Sequence, residues 1–414
     1  MEGFIVEWLS LLGRWVHMIT GIAWIGASFY FVWLDNHLQA PKHQADVDKG
    51  VGGEIWSVHG GGFYHAQKYK VSPQELPEKL HWFKWEAYTT WITGMFMLVL
   101  IYWYGAELYL IDPQVADLSK PVAILIGAAT IVVGWIVYDK LCRSSIGENE
   151  SLMGLVMFVL LSFAAWGLCQ LFSGRGAFMH FGAMLGTIMV ANVAHVIIPG
   201  QRDLVTAKEE GREPDPIHGI RGKQRSVHNT YFTLPVLFVM ISNHYAMTYG
   251  HEYNWLILIG LSLAGALIRV YFVKRHFGKA SLLPIIIAAV LIAAVAALTV
   301  PKNSPSAVPA KNSENTSDTV GQSAEPMTVS FSQVQSIVNE RCVSCHAQSP
   351  AHPGFFAPPK GIKLETADDI VNHARAIYQQ SVASKAMPIG NLTKMLDEER
   401  ALIGAWVQAG AKAE

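Results

Sequence analysis

The sequence predicts an all-α fold in two parts, a polytopic membrane bundle of about eight transmembrane helices followed by a small tethered helical domain. Three observations carry this prediction. Of the 414 residues, 51% are hydrophobic and only 15% charged, with a mean hydropathy of +0.27, whereas soluble domains run at about 25% charged. Apolar runs of about 20 residues, the length that crosses about 30 Å of hydrocarbon, recur as far as Val300. Beyond Val300 the composition changes abruptly to Pro, Ser, Asn and Thr, too polar to offset its own ordering entropy. A net charge of −1 leaves no basic field for a nucleic-acid backbone, so nucleic acid is not expected as a partner. Four cysteines are too few for a disulfide scaffold.

Taken in order, the apolar runs lie near 5–34, 87–104, 121–139, 151–173, 177–198, 230–249, 254–273 and 281–300. The first carries Glu2 and Glu7 in place of a basic leader, and no small-residue cleavage site follows it. A retained helix is therefore expected, not a signal peptide. The second is interrupted by tyrosines and tryptophans, while the last, with its Ile-Ile-Ile-Ala-Ala-Val centre, is the clearest. Eight spans alternate the loops between two sides. One set of loops holds 17 Lys and Arg, from Lys42 to Lys279, and the other only Lys120 and Arg175. Positive charge stays inside, which puts both termini outside, in the periplasm for a multi-pass protein of a bacterial inner membrane. Residues 1–300 are thus read as the transmembrane domain, 301–327 as a flexible linker and 328–414 as a second domain. In that domain Val334, Ile337 and Val338, and later Leu402, Ile403, Trp406 and Val407, have the spacing of two helices that pack across each other. No solenoid repeat and no strand-rich region is expected.

Between those two stripes lies Cys342-Val-Ser-Cys345-His346. This is the spacing for covalent haem c: two thiols add to the porphyrin vinyls and the adjacent imidazole ligates iron. A redox Cys-x-x-Cys or half of a zinc site is the competing reading, but zinc needs two more soft ligands, and Cys142 and Cys169 lie in or beside the apolar runs. For the distal ligand the sequence offers Met387, followed by Pro388 in a loop 41 residues beyond His346, with Met395, His352 and His373 as competitors. A thioether on a proline-stiffened loop can be held against the iron and raises its potential. The second domain is accordingly expected to be a class-I-like cytochrome c domain, with haem c as its cofactor.

The loops narrow the field further. His59-Gly-Gly-Gly-Phe-Tyr-His65, the run from His81 through Trp85-Glu86 to Gly94, and Asn192-Val-Ala-His195-Val-Ile-Ile-Pro-Gly-Gln-Arg202-Asp203 resemble the bacterial membrane-bound urate oxidases of cytochrome c type. The resemblance covers the whole chain. It implies oxidation of urate to 5-hydroxyisourate in purine degradation. It also implies electrons leaving through haem c to the respiratory chain, by way of a soluble cytochrome c or a terminal oxidase. The rival readings are a membrane cytochrome c oxidoreductase of another small molecule or a quinol, and an anchored electron-carrier subunit.

The resemblance assigns no catalytic residues, so candidates follow from chemistry. A urate monoanion needs a cation to hold it, a base near neutral pKa and an electron acceptor. On the inner side, His59, His65 and His195 are the candidate bases, and Arg202, Tyr64, Gly61 and Gly62 the candidate substrate contacts. The Gly60-Gly61-Gly62 run would let backbone amides approach a planar anion. The alternative is a glycine-rich interfacial loop with solvated histidines. Arg269 and Glu86 either join this set or snorkel to the interface. In the outer half, Arg14, His17 and Gly21 share one helix face, and His180 and His244 also fall in that half. These are candidates to hold a membrane haem b, with Arg14 at a propionate. Otherwise His17 hydrogen-bonds a neighbouring helix while Gly21 permits close packing.

Overall fold

The computed structural model describes residues 2–275, 281–300, 329–355 and 357–413. The linker read at 301–327, and Lys279, lie outside the described residues. Helices occupy all eight apolar runs: α1 (Glu2–His37), α2 (Trp85–Met97), α3 (Lys120–Cys142), α4 (Glu150–Leu171), α5 (Gly174–Asn192), α6 (Pro216–Ser242), α7 (Asn254–Arg275) and α8 (Leu283–Leu298). By length and composition 5 of them can cross a membrane, namely α1, α3, α4, α7 and α5 with its continuation to Glu209.

The helix starts have local causes. Asn149 accepts a hydrogen bond from the Leu152 N–H and opens α4, Ser173 does the same for Gly176 at α5, and Asp215 caps α6 through Ile217 with Pro216 in the first turn. The last cap moves a boundary. The sixth run was expected to begin near 230, but α6 begins at Pro216, so Arg225, His228 and Asn229 are helical and not in a loop. After Asn192 the α5 helix widens into a π-turn over Val193–Ile197 and continues as Ile198–Glu209. Pro199 explains the widening, because its ring collides with the carbonyl four residues back and offers no N–H to it.

The α5 helix is the centre of the bundle, with Phe178, His180, Phe181, Leu185 and Ile188 almost wholly buried. Small residues let α3 approach it. A Cβ on Gly127 would lie 2.6 Å from His180 Nε2, and one on Gly134 2.5 Å from Met184 Cγ. The α1 helix packs along α2, and α7 lies between α6 and α8.

One element departs from the all-α expectation. Val51–His59 (β1) and Gly62–Tyr69 (β2) pair antiparallel, with His59 opposite Gly62 and Trp56 opposite His65. The turn between them is Gly60-Gly61, both at positive φ (57° and 80°), the signature of a tight two-residue hairpin. The glycine run read as an anion cradle is therefore the tip of a hairpin.

The C-terminal segment has its own core. The α9 helix (Phe331–Arg341) and the terminal α10 (Asp397–Gln408) pack with Phe331 against Trp406, ring centroids 5.8 Å apart, over Val334, Val338, Ile370, Met395 and Ile403. Arg341 and Glu399 tie the two helices through a forked ion pair at 2.9 to 3.1 Å. This segment touches the outer loops of the bundle at glycines. A Cβ on Gly390 would meet the carbonyl oxygen of Ile111 at 2.8 Å, and one on Gly354 the Cδ1 of Leu108 at 2.6 Å. Gln114 Nε2 donates to the Met395 carbonyl at 3.4 Å.

Candidate functional site

The Cys-x-x-Cys-His turn is held by its backbone, with the N–H groups of Cys345 and His346 donating to the Cys342 carbonyl at 3.1 and 2.9 Å. His346 Nδ1–H donates to the Ile362 carbonyl at 2.9 Å. That bond fixes the tautomer that leaves Nε2 with its lone pair, the condition for an iron ligand. Both thiols are free. Burial, and then the neighbouring Cys345, push the Cys342 thiol up to about 12. A thiol–disulfide catalyst needs the opposite shift. Among the described residues no three His, Cys, Asp or Glu side chains converge on a metal-ion site, so half of a zinc site finds no second half. The residues fit haem c.

Met387 is half-buried and pinned on both sides. Its N–H donates to the Gln380 carbonyl at 2.8 Å, and its carbonyl accepts from Arg400 Nη1 at 2.7 Å. Arg400 is itself 3% exposed and also holds the Ser381 carbonyl and Asn391. Its charge favours the Cys342 thiolate, against the larger effect of burial. Met395 is fully buried in the core, His352 Nδ1 accepts from Gly354, and His373 bonds the Asp369 carbonyl. Burial sets Met395 apart, whereas His352 and His373, like His346, bond through Nδ1.

The outer-half histidines bond within the bundle or face solvent. His180 uses both ring nitrogens, Nδ1–H donating to the Gly176 carbonyl at 2.8 Å and Nε2 accepting from Trp103 Nε1 at 3.1 Å. His244 is exposed in the turn after α6. His17 Nδ1 bonds the Thr90 carbonyl and Thr93 Oγ1, both at 3.0 Å, across α1 and α2. The glycine that admits it is Gly94, where a Cβ would lie 3.0 Å from the ring, and not Gly21. Arg14 is exposed and bonds Ser10 on its own helix. No step is routed through a membrane haem here.

The inner set is also divided. His65 belongs to the hairpin, stacked on Trp56 at 4.3 Å with its Nε2 2.9 Å from Glu54 Oε2. The Lys42 N–H, donating to Glu54, and then the side chains of Gln67 and His65 hold that carboxyl below the usual range. His59 and Tyr64 are exposed near the hairpin tip, and Gly61 and Gly62 form its turn and first pair. His195 lies instead on the π-turn, 5.9 Å from the Trp135 ring, and Arg202 is exposed beyond it. Among the described residues no hydrogen bond or ring contact joins the hairpin to either.

A different inner cluster forms in the bundle. Asn192 donates to Tyr138 Oη at 3.0 Å and to Asn229 Oδ1 at 2.8 Å, Arg225 donates to Asn192 Oδ1 at 3.2 Å and to Asp139 Oδ1 at 2.8 Å, and Tyr138 Oη lies 2.9 Å from His228 Nδ1. Arg225 is 2% exposed and stacks over Tyr138, a charge that persists there because Asp139 pairs it. Tyr138 and His228 also line a cavity of about 330 Å³ between α4, α6 and α7, with Glu150, Ser162, Tyr231 and Ser262. The hydroxyls of Ser162 and Ser262 are buried there without a hydrogen-bond partner. The sequence signal was present. Arg225, His228 and Asn229 stand at i, i+3 and i+4 once the helix starts at Pro216.

Nor does Arg269 snorkel. It is 7% exposed, with its guanidinium carbon 4.2 Å from the centroid of Phe29 on α1.

Comparison with known proteins bears on the bundle. Neither the curated proteins nor the solved structures contain a match to the chain. The family model described as urate oxidase N-terminal matches residues 3–300, the stretch that holds all eight helices, the hairpin and the Tyr138–His228 cluster. The chain belongs to the urate oxidase N-terminal family, a urate oxidase-related oxidoreductase.

Proposed function

We propose that the protein is a membrane-embedded urate oxidase that converts urate to 5-hydroxyisourate and passes the electrons out through its C-terminal domain. The family match over 3–300 carries this reading. Urate and one water give 5-hydroxyisourate, two electrons and two protons. Haem c, held by Cys342, Cys345, His346 and Met387, supplies one-electron acceptance, and a soluble cytochrome c or a terminal oxidase takes the electrons onward. In this reading the eight helices cross a bacterial inner membrane with the termini and haem domain in the periplasm.

The cavity beside Tyr138 and His228 is the seat of proton transfer. The 2.9 Å bond between Tyr138 Oη and His228 Nδ1 runs in either direction. With Nδ1–H donating to Tyr138, His228 Nε2 is free to take a proton from the substrate side. Asn192 and Arg225 fix the phenol in place and keep the tautomer choice local.

The test is an anaerobic absorption spectrum of oxidised protein before and after urate, with a pyridine haemochrome assay of haem type. Urate is expected to reduce a c-type band. A c-type band that stays oxidised with urate refutes the proposal. Oxidation of a quinol is a second reading, favoured by the apolar lining of the cavity by residues such as Phe181, Leu185 and Phe232. Reduction by a quinol in place of urate would establish it.

A further inference from the structure

Among the described residues, Arg269 is a buried cation with no carboxylate paired to it. Its Nε and Nη2 are shielded from solvent and have no hydrogen-bond partner. Arg225 differs, since its buried charge is neutralised by Asp139 at 2.8 Å, and Arg400 donates to three oxygens of its own loop. An unpaired charge in a low-dielectric interior is costly unless something pairs it. The two orphaned nitrogens also have a geometric relation. Nε–H and Nη2–H lie on one edge of the guanidinium, with parallel N–H bonds, the fork that takes two adjacent acceptor atoms of an anion. The Phe29 ring 4.2 Å away steadies the guanidinium plane.

We infer that Arg269 is the anion seat for the substrate, binding an amidate edge of the urate monoanion through Nε and Nη2. The inference rests on the urate reading above and adds the residue that recognises the charge. A deprotonated ring nitrogen and the neighbouring carbonyl oxygen present two acceptors side by side, which matches the fork. Arg202, the cation expected from sequence, is exposed and offers its charge to water, where a monoanion gains little from it. The recognition requires no change at the haem turn.

The experiment measures urate binding to the full chain in detergent micelles, with the haem reduced beforehand so that bound urate is not consumed. Wild type, Arg269→Gln and Arg269→Lys are compared by equilibrium dialysis, and their thermal unfolding and haem spectra establish folding. Arg269→Gln is expected to weaken urate binding by at least about 30-fold. Arg269→Lys is expected to recover only part of it, because one ammonium cannot make two parallel bonds. Urate bound by folded Arg269→Gln as tightly as by wild type overturns the anion seat alone. Wild type that neither binds urate nor is reduced by it overturns the urate reading, and this assignment with it. Should Arg269→Gln not fold, Phe29→Leu gives a second readout, expected to weaken urate binding several-fold, and unchanged binding there counts against the seat.

Discussion

The C-terminal domain and the membrane bundle place chemistry in opposite ways. In the domain, the proposed function gives the five residues from Cys342 to His346 two covalent anchors and an iron ligand, a set whose spacing along the chain thioether formation would fix. In the bundle the work proposed for Tyr138, Asn192, Arg225, His228 and Arg269 would be spread over four helices. There, depth and helical phase bring side chains together, and neither is written as a motif. A covalent cofactor makes a site local, whereas a substrate that must come and go permits a distributed one.

Removing the local motif tests the contrast most severely. Cys342→Ala is expected to abolish the covalent c-type band and all urate-driven electron transfer, read by haemochrome assay and turnover. In the bundle, His228→Ala should lower turnover by about 10²- to 10⁴-fold while leaving the haem reducible by dithionite. His65→Ala, confined to the hairpin, should change turnover by less than about 3-fold. Equal losses in these two variants would erase the distinction between cluster and hairpin. Next comes Arg400→Leu, which strands the buried carbonyls of Ser381 and Met387. A loss of about 3 kcal/mol in denaturant unfolding of the domain is expected, with a shifted haem potential as the Met387 loop loosens.

The smallest effect is acid sensitivity confined to the domain. Lys385 holds Asp397 below the usual carboxylate range. Burial raises Glu399, but the Arg341 fork and the Leu396 N–H outweigh it, so its net shift is downward. Carboxyls lowered on folding contribute stability above their unfolded pKa of about 4, and that contribution fades as pH falls through the folded values. Melting midpoints between pH 6 and pH 3 should fall for the domain, and less so in Glu399→Gln.

What the sequence revealed follows the same division. The two packed C-terminal helices were legible, since each apolar stripe depends on neighbours in the chain. The eight helical runs were legible from apolar length. The hairpin was not, because Gly60-Gly61-Gly62 satisfies both a cradle and a tight turn, and only the partner strand decides. The inner cluster was hidden by one boundary. Overlooking Asp215-Pro216 as a helix start left Arg225 and His228 in a loop, where their shared face with Tyr138 could not be seen. The partners of His180 were not legible either, since the Gly176 carbonyl and Trp103 meet its ring only once the helices pack.

The contacts at Gly354 and Gly390 have a consequence for how the two regions communicate. Glycine lets the chain approach the Leu108 side chain and the Ile111 carbonyl closely, and Gln114 adds one side-chain hydrogen bond at 3.4 Å. Such a contact has little intrinsic affinity, but both partners are on one polypeptide, and an effective concentration on the order of millimolar can replace tight binding. Under the proposed function, the C-terminal domain would rest on its own bundle to collect an electron and leave to meet an acceptor in solution.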